Sequence, residues 1–436
     1  MPAIRDLFHP GEVSNMGVAG AVRFGKTANA NFQNEINISI IFNYLRERSA
    51  VYRAQISRDL SISAPAVSRA IEKLMERGYV VESEPIRTAS GKKAVTVSLN
   101  VAKGCVIGMD LLKGNLRIGL FDYRGVMLDR WCGMRLAEST NVPRDLILEI
   151  ERFLEQADAR LRQTEAAIVP QLQAICVAVP AIVEAGSARL TSAVLFSNLS
   201  GINLKQVLSR RFNVPVYVEN DVDLSALAEN QYGQGRHHHD LVFVEVSSGI
   251  GAGIIIDNQL IRGVNGGCGE LGYMVLAPED LGRISQTEGP LEQRASIEAM
   301  RTLALQAIEQ NRATLISERA ARDSDGVTPA LVCRTALEGD EVACEIVHGI
   351  ARLLSAAIVN LIVTINPEIV VFGGEICSLP GFEKLILEPV REAVRVSVPF
   401  QLPEIVVSTL GEDAGVIGAS HMAIESLLLG KYPYRI

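Results

Sequence analysis

The segment VYVENDVDLSALAE, Val216 to Glu229, places three polar residues, Glu219-Asn220-Asp221, between a β-branched run and a helix-forming run. Asp221 would then sit at a strand-to-helix junction. A carboxylate there can take a proton from a hydroxyl that attacks a phosphoryl group. Without a nucleotide the same group is only a hydrogen-bond acceptor for a polyol, so the nucleotide side decides between the two chemistries. The run His237-His238-His239 offers metal ligands by type but not by geometry. Three adjacent imidazoles cannot all face one ion from a regular strand, and the surrounding GQGRHHHDL reads as a solvated connection. The seven cysteines are scattered, with no pair at metal-ligand spacing. They read as reduced thiols of a cytoplasmic protein.

The elements that must position Asp221 follow from the pattern along the chain. A length of 436 residues predicts two or three compact units. Hydrophobic residues make up 48% and charged residues 21%, as in a globular protein with a large core. The net charge of −8 argues against a chain that is basic throughout, yet leaves room for a small basic module. Residues 1–33 are rich in Gly, Ala and Asn and are expected to form a flexible arm. No apolar signal-peptide core occurs in MPAIRDLFHPGEVSN, so a cytoplasmic location is expected. The greasiest run, LLSAAIVNLIVTINPEIVVF, is interrupted by Asn360, Asn366 and Pro367. It predicts a buried helix, a turn and a buried strand, with no membrane span.

Residues 34–100 show short helices followed by a hairpin. NISIIFNYLRERS and RAQISRDL make two helices, and Ser61-Ile62-Ser63 the turn. Ser63 is placed to cap a third helix, APAVSRAIEKLMERG, with Pro65 tolerated in its first turn and Val67, Ile71 and Leu74 pointing inward. YVVES and KAVTVSL then pair around a loop holding Lys92 and Lys93. This order is that of a winged helix-turn-helix. Ten cations against seven anions give these residues a net +3 on an acidic chain, as expected of a duplex-docking module. Ala66, Ser68 and Arg69 lie near the start of the third helix and off its buried stripe, which suits the major groove. Lys73 suits phosphate, as do Lys92 and Lys93 at the wing tip. From Val101 onward, residues 101–436 alternate strands and helices, predicting an α/β body of two lobes around a cleft.

Several stretches, in order, resemble the ROK family of repressors, open reading frames and kinases. They are SRDLSISAPAVSRAIEKLMERGYVVE, AVPAIVEAG, SNLSGINL, VENDVDLSALAE, VSSGIGAGIIIDNQLIRGVNGGCGELGY, NPEIVVFGGE and STLGEDAGVIGAS. The resemblance spans about residues 34–425 and implies an actin/hexokinase-like two-lobed fold. Members with a DNA-binding head are sugar-responsive transcriptional regulators; headless members are often sugar kinases. By the same resemblance Asn198, Asn220, Asp221, Glu270 and Glu292 are sugar contacts, and Tyr273, standing where the family often has histidine, either offers its hydroxyl or packs. Each ring hydroxyl leaving water needs such a partner.

Two departures from the family pattern matter. Its kinases carry Asp-x-Gly-Gly-Thr at the first turn, where this chain reads Asp110-Leu111-Leu112-Lys113-Gly114. Side chains at 112 and 113 obstruct phosphate approach to the backbone. In SSGIGAG, Ser247 replaces a glycine, and Gly249, Gly251 and Gly253 are expected to serve a tight hairpin. The family's histidine and cysteine zinc ligands are replaced by Tyr273 and SQTEGPLE, so no metal and no cofactor are expected. The expectation is a DNA-binding regulator, a repressor, that binds a sugar or sugar derivative and does not phosphorylate it, acting as a homodimer or dimer of dimers. The alternative is an ATP-dependent sugar kinase with a regulatory head, in which Asp221 is catalytic.

Overall fold

The computed structural model describes residues 30–83, 86–87, 93–111, 115–135, 139, 141–163, 171–184, 190–191, 203–282, 288–320 and 326–429. The expected arm lies outside these residues except for its end: helix α1 spans Ala30–Arg46, so Ala30 to Gln33 are helical. The N-terminal unit continues with β1 (Val51–Tyr52), α2 (Arg53–Asp59), α3 (Ala64–Glu76), β2 (Val80–Glu82), β3 (Ile86–Arg87), β4 (Lys93–Ala94) and β5 (Thr96–Leu99). One small sheet runs β1-β5-β2, and β3 pairs with β4. Helix α3 turns Val67, Ala70, Ile71 and Leu74 into the core, one residue per turn and its neighbour, as an amphipathic stripe requires. Ser63 stands at the N-cap with extended backbone, but its side chain makes no capping bond, against expectation. Instead Ser57 Oγ donates to the Ile62 carbonyl at 2.6 Å and holds the turn. Gly78, at φ +77°, ends the helix in the left-handed geometry that glycine adopts without strain.

The body holds two five-stranded sheets of matching design. In the first lobe the order is β12-β9-β6-β7-β8, from β6 (Gly104–Asp110), β7 (Asn115–Asp122), β8 (Met127–Arg135), β9 (Gln171–Val179) and β12 (Val216–Asn220). Helices α4 (Val142–Leu161) and α5 (Leu204–Phe212) and the short pair β10 (Ile182–Val183) and β11 (Leu190–Thr191) lie between them in sequence. The second lobe has the order β15-β14-β13-β16-β17, from β13 (Leu241–Val246), β14 (Ile250–Ile256), β15 (Gln259–Leu260), β16 (Ile369–Gly373) and β17 (Glu404–Val407). Each sheet begins as an antiparallel three-strand meander and is extended by two parallel strands. Helices α7 (Glu292–Ala295), α8 (Ile297–Glu309), α9 (Leu315–Arg319), α10 (Pro329–Leu337), α11 (Glu341–Ile365) and α12 (Glu388–Ser397) cover the second sheet. Helix α11 is long and apolar enough to cross a membrane, yet it is a core helix: Ile346, Ile350, Leu354, Ile358 and Leu361 are buried in the second-lobe cluster. It stops at Asn366, whose left-handed φ of 53° is followed by Pro367 and β16, the helix, turn and strand read from the sequence.

Two helices join the lobes. Helix α6 (Asp221–Tyr232) leaves β12 of the first lobe and packs on β13 and β14 of the second. Helix α13 (Ala414–Leu429) follows β17 of the second lobe and packs on β6 and β9 of the first. The two touch each other along their length, and Gly418 lets them: a Cβ there would lie 1.8 Å from the Leu224 carbonyl oxygen. One apolar cluster includes Ile41, Phe42 and Leu45 of α1, Leu224 and Leu227 of α6, and Met422 and Leu428 of α13. The N-terminal unit therefore shares its core with the hinge of the body.

Candidate functional site

A cavity of about 290 Å³ opens between the lobes beside the start of α6. Asn220, Asp221, Glu270, Tyr273 and Glu292 all line it, so five of the sequence-nominated contacts meet in one place. Asn198 falls outside the described residues. Asn220 ends β12 and caps α6: its side-chain oxygen accepts from Asp223 N at 3.0 Å, and its Nδ2 donates to the Ala181 carbonyl at 3.2 Å. Those bonds fix the amide's orientation.

Asp221, the first residue of α6, is 6% exposed, and Val222 N donates to its Oδ1 at 2.9 Å. Burial first, then the nearby Glu245 and Asp110, push its carboxyl well above the usual range. Glu270 is pushed up by burial. Glu292 is pushed up to about 7, chiefly by burial, with Glu288 and Glu270 adding repulsion against a backbone hydrogen bond from Ile250. Carboxyls whose protonated form is favoured by burial can act as donor or acceptor toward hydroxyls. Glu292 keeps its place through backbone contacts. Leu291 N donates to the Gly272 carbonyl at 3.0 Å, and Gly289 packs so closely that a Cβ would lie 2.1 Å from that oxygen. Arg294 adds two 3.0 Å bonds to Asp280. Among the described residues no three His, Cys, Asp or Glu side chains converge to hold a metal.

The sequence reading missed one pair. Arg262, just after β15, donates from Nε to Glu219 Oε2 at 2.6 Å, with the side chains 10% and 5% exposed. It ties the second-lobe loop that leads to Glu270 to the first-lobe strand that carries Asn220. Glu219 stood in the polar triplet and Arg262 in the quoted LIRGVNGG, but nothing in spacing joins them. Asp223, 4% exposed, lies against this pair, and burial followed by Glu219 raises its carboxyl well above normal.

On the nucleotide side, Leu112, Lys113 and Gly114 lie outside the described residues. Asp110 ends β6, 3% exposed, and Gly415 of α13 sits against it; a Cβ there would be 2.4 Å from Oδ2. Ser247 uses its hydroxyl internally, donating to Glu245 at 3.3 Å and accepting from Glu375 N at 3.1 Å. The hairpin reading of the glycines is corrected for two of them. Gly251 and Gly253 lie within β14 as seats for α6, and a Cβ on Gly253 would be 2.4 Å from the Ala226 methyl and 2.8 Å from the Val222 oxygen. The three histidines occupy the connection from α6 to β13, where Glu368 accepts from His239 N at 2.6 Å and Asp240 N at 3.3 Å.

On the N-terminal unit, Arg69 and Lys73 are exposed on α3, and Ala66 and Ser68 are half-buried beside them. Lys93 lies in β4 opposite Arg87. Lys92 falls outside the described residues.

Residues 106–426 match the ROK family, and the chain belongs to it. It is similar to the xylose repressor of Caldicellulosiruptor bescii, 28% identical over 410 residues that cover 92% of this chain and 98% of that one. It is similar as well to the DNA-binding transcriptional dual regulator NagC of Escherichia coli K12, 24% identical with 92% and 95% covered. In fold it matches a ROK family transcriptional regulator, a homolog of the E. coli MLC protein, with a TM-score of 0.75, 22% identity and coverage of 91% and 97%. The body alone matches a ROK glucokinase of Streptomyces griseus solved with glucose and AMPPNP, with a TM-score of 0.59, 23% identity and coverage of 73% and 99%.

Proposed function

We propose that this chain is a sequence-specific DNA-binding transcriptional repressor, controlled by a sugar or sugar derivative bound in the interlobe cavity without phosphoryl transfer. The N-terminal unit is read as a winged helix-turn-helix whose α3 enters the major groove through Ala66, Ser68 and Arg69, with Lys73, Lys92 and Lys93 on phosphates. One observation carries the reading: α3, with Arg69 and Lys73 exposed, buries its apolar stripe in the same cluster as helix α6, and α6 begins at the carboxylate-lined cavity. Likeness to repressors along nine-tenths of the chain supports the same view. Ligand binding between the lobes shifts their closure, and closure resets the head relative to its twin in a cytoplasmic homodimer or dimer of dimers.

The test is a thermal-shift screen with mono- and disaccharides and their phosphates, followed by operator binding with each hit. A sugar that raises Tm and changes operator affinity supports the reading. Arg69→Ala should cost about 1–3 kcal/mol and relax sequence choice, whereas Lys73→Ala should weaken all sequences and flatten the salt dependence. ATP-dependent turnover of any sugar that vanishes in Asp221→Asn would overturn it in favour of a kinase.

A further inference from the structure

The cavity and the head are joined by one helix. Asp221 opens α6 at the cavity, and Tyr232 closes it about 16 Å away at the head, given about 1.5 Å per residue. There Arg46, the last residue of α1, is 6% exposed and gathers three helices around its guanidinium. Its Nη2 donates to the Tyr232 hydroxyl of α6. Its Nη1 lies 3.3 Å from His421 Nδ1 and 3.6 Å from Glu425 Oε1, both on α13. From α1 itself, Asn43 Oδ1 accepts from Nη1 at 3.3 Å and Ser39 Oγ reaches Glu425 Oε2 at 3.4 Å. Arg46 can only donate, so His421 Nδ1 must accept and the imidazole is neutral, in keeping with burial and the adjacent cation lowering its pKa. A buried charge held this way tolerates little displacement, because each broken partner leaves a desolvated polar group.

Helix α6 cannot absorb a push locally. Its backbone meets α13 at Gly418, and at Gly253 β14 faces the Val222 oxygen and the Ala226 methyl, leaving no long side chain between to yield. A shift imposed at Asp221 must therefore move the whole helix, and the far end is in the grip of Arg46.

We propose that Arg46 is the positioning residue through which the cavity reports to the head, converting movement of α6 into repositioning of α1. The inference rests on the sensor reading above and names its route. Arg46 does not line the cavity and its side chain is 6% exposed, which sets its signature apart from that of a binding residue. A merely structural Arg46 would lower Tm and leave the sugar response intact.

The experiment uses the full chain, an operator duplex selected in vitro on the wild type, and D-xylose and N-acetyl-D-glucosamine as probes. Arg46→Lys and Tyr232→Phe should each bind sugar and operator within about twofold of wild type when tested separately. The change in operator affinity caused by sugar should fall by about fivefold or more, the scale of an ordinary coupling between sites. An undiminished sugar response in both variants would overturn the proposal. If the wild type responds to neither sugar, that counts against the sensor reading alone, and a ligand-free arm still decides the route. Gly253→Ala, or the milder Gly251→Ala should the first not fold, displaces α6 directly. It should alter amide exchange in α1 of the wild type and leave α1 unchanged in the Arg46→Lys background. Equal changes in both backgrounds would sink the idea.

Discussion

Helices α6 and α13 occupy matching positions in the two lobes. Each follows its lobe's outer parallel strand and crosses to pack on the other lobe's sheet. Both are buried on nearly every side, as helices wedged between two layers must be. Their first turns differ sharply. Helix α6 begins with Asp221 and Asp223, capped by Asn220. Helix α13 begins Ala414-Gly415, stripped of polar groups and pressed on Asp110. The same scaffold thus carries buried carboxylates at the start of one helix and a close packing contact at the start of the other.

That contrast can be broken or sharpened by substitution. The largest effect is expected at the contact between the helices: Gly418→Ala would push a methyl into the Leu224 carbonyl and should cost about 3 kcal/mol in urea denaturation. Gly415→Ala meets only the Asp110 carboxylate, which can swing aside, and should cost about 1 kcal/mol. A larger loss at Gly415 than at Gly418 would mean the first turn of α13 is less plain than described. Asp221→Asn should come next, reducing sugar affinity by about 10- to 100-fold in calorimetry while leaving Tm level or higher, since a desolvated carboxyl is removed. Unchanged affinity would place recognition elsewhere. The smallest effect concerns Glu292. Its raised pKa means the native state holds the proton more tightly, so its contribution is full below about 4.5 and is lost as pH rises to about 7. Glu292→Gln should flatten that decline by about 1 kcal/mol, partial exposure considered, when midpoints at acidic and alkaline pH are compared. A decline just as steep in the variant would remove Glu292 from its cause.

Local pattern made some of this legible. The stripe of Val67, Ile71 and Leu74 and the break at Asn366-Pro367 each express the chain's own periodicity, and both elements stand where the sequence puts them. Cavity residues such as Glu270 and Glu292 were found through motif order, not spacing. What stayed hidden depends on partners remote in sequence. Arg46 and His421 are 375 positions apart, and Glu219 and Arg262 are 43 apart. A glycine in a strand likewise says that something comes close without saying what; at Gly253 it is α6. Ser63 fails in the other direction: a residue type suited to capping lies at the right position, but its side chain makes no cap.

The apolar cluster shared by α1, α6 and α13 has an evolutionary corollary. A reader domain tethered by a loose linker can be traded between proteins by recombination, because few contacts cross the boundary. Here the boundary is interior, so a foreign N-terminal unit grafted onto this body would arrive without the matching surface.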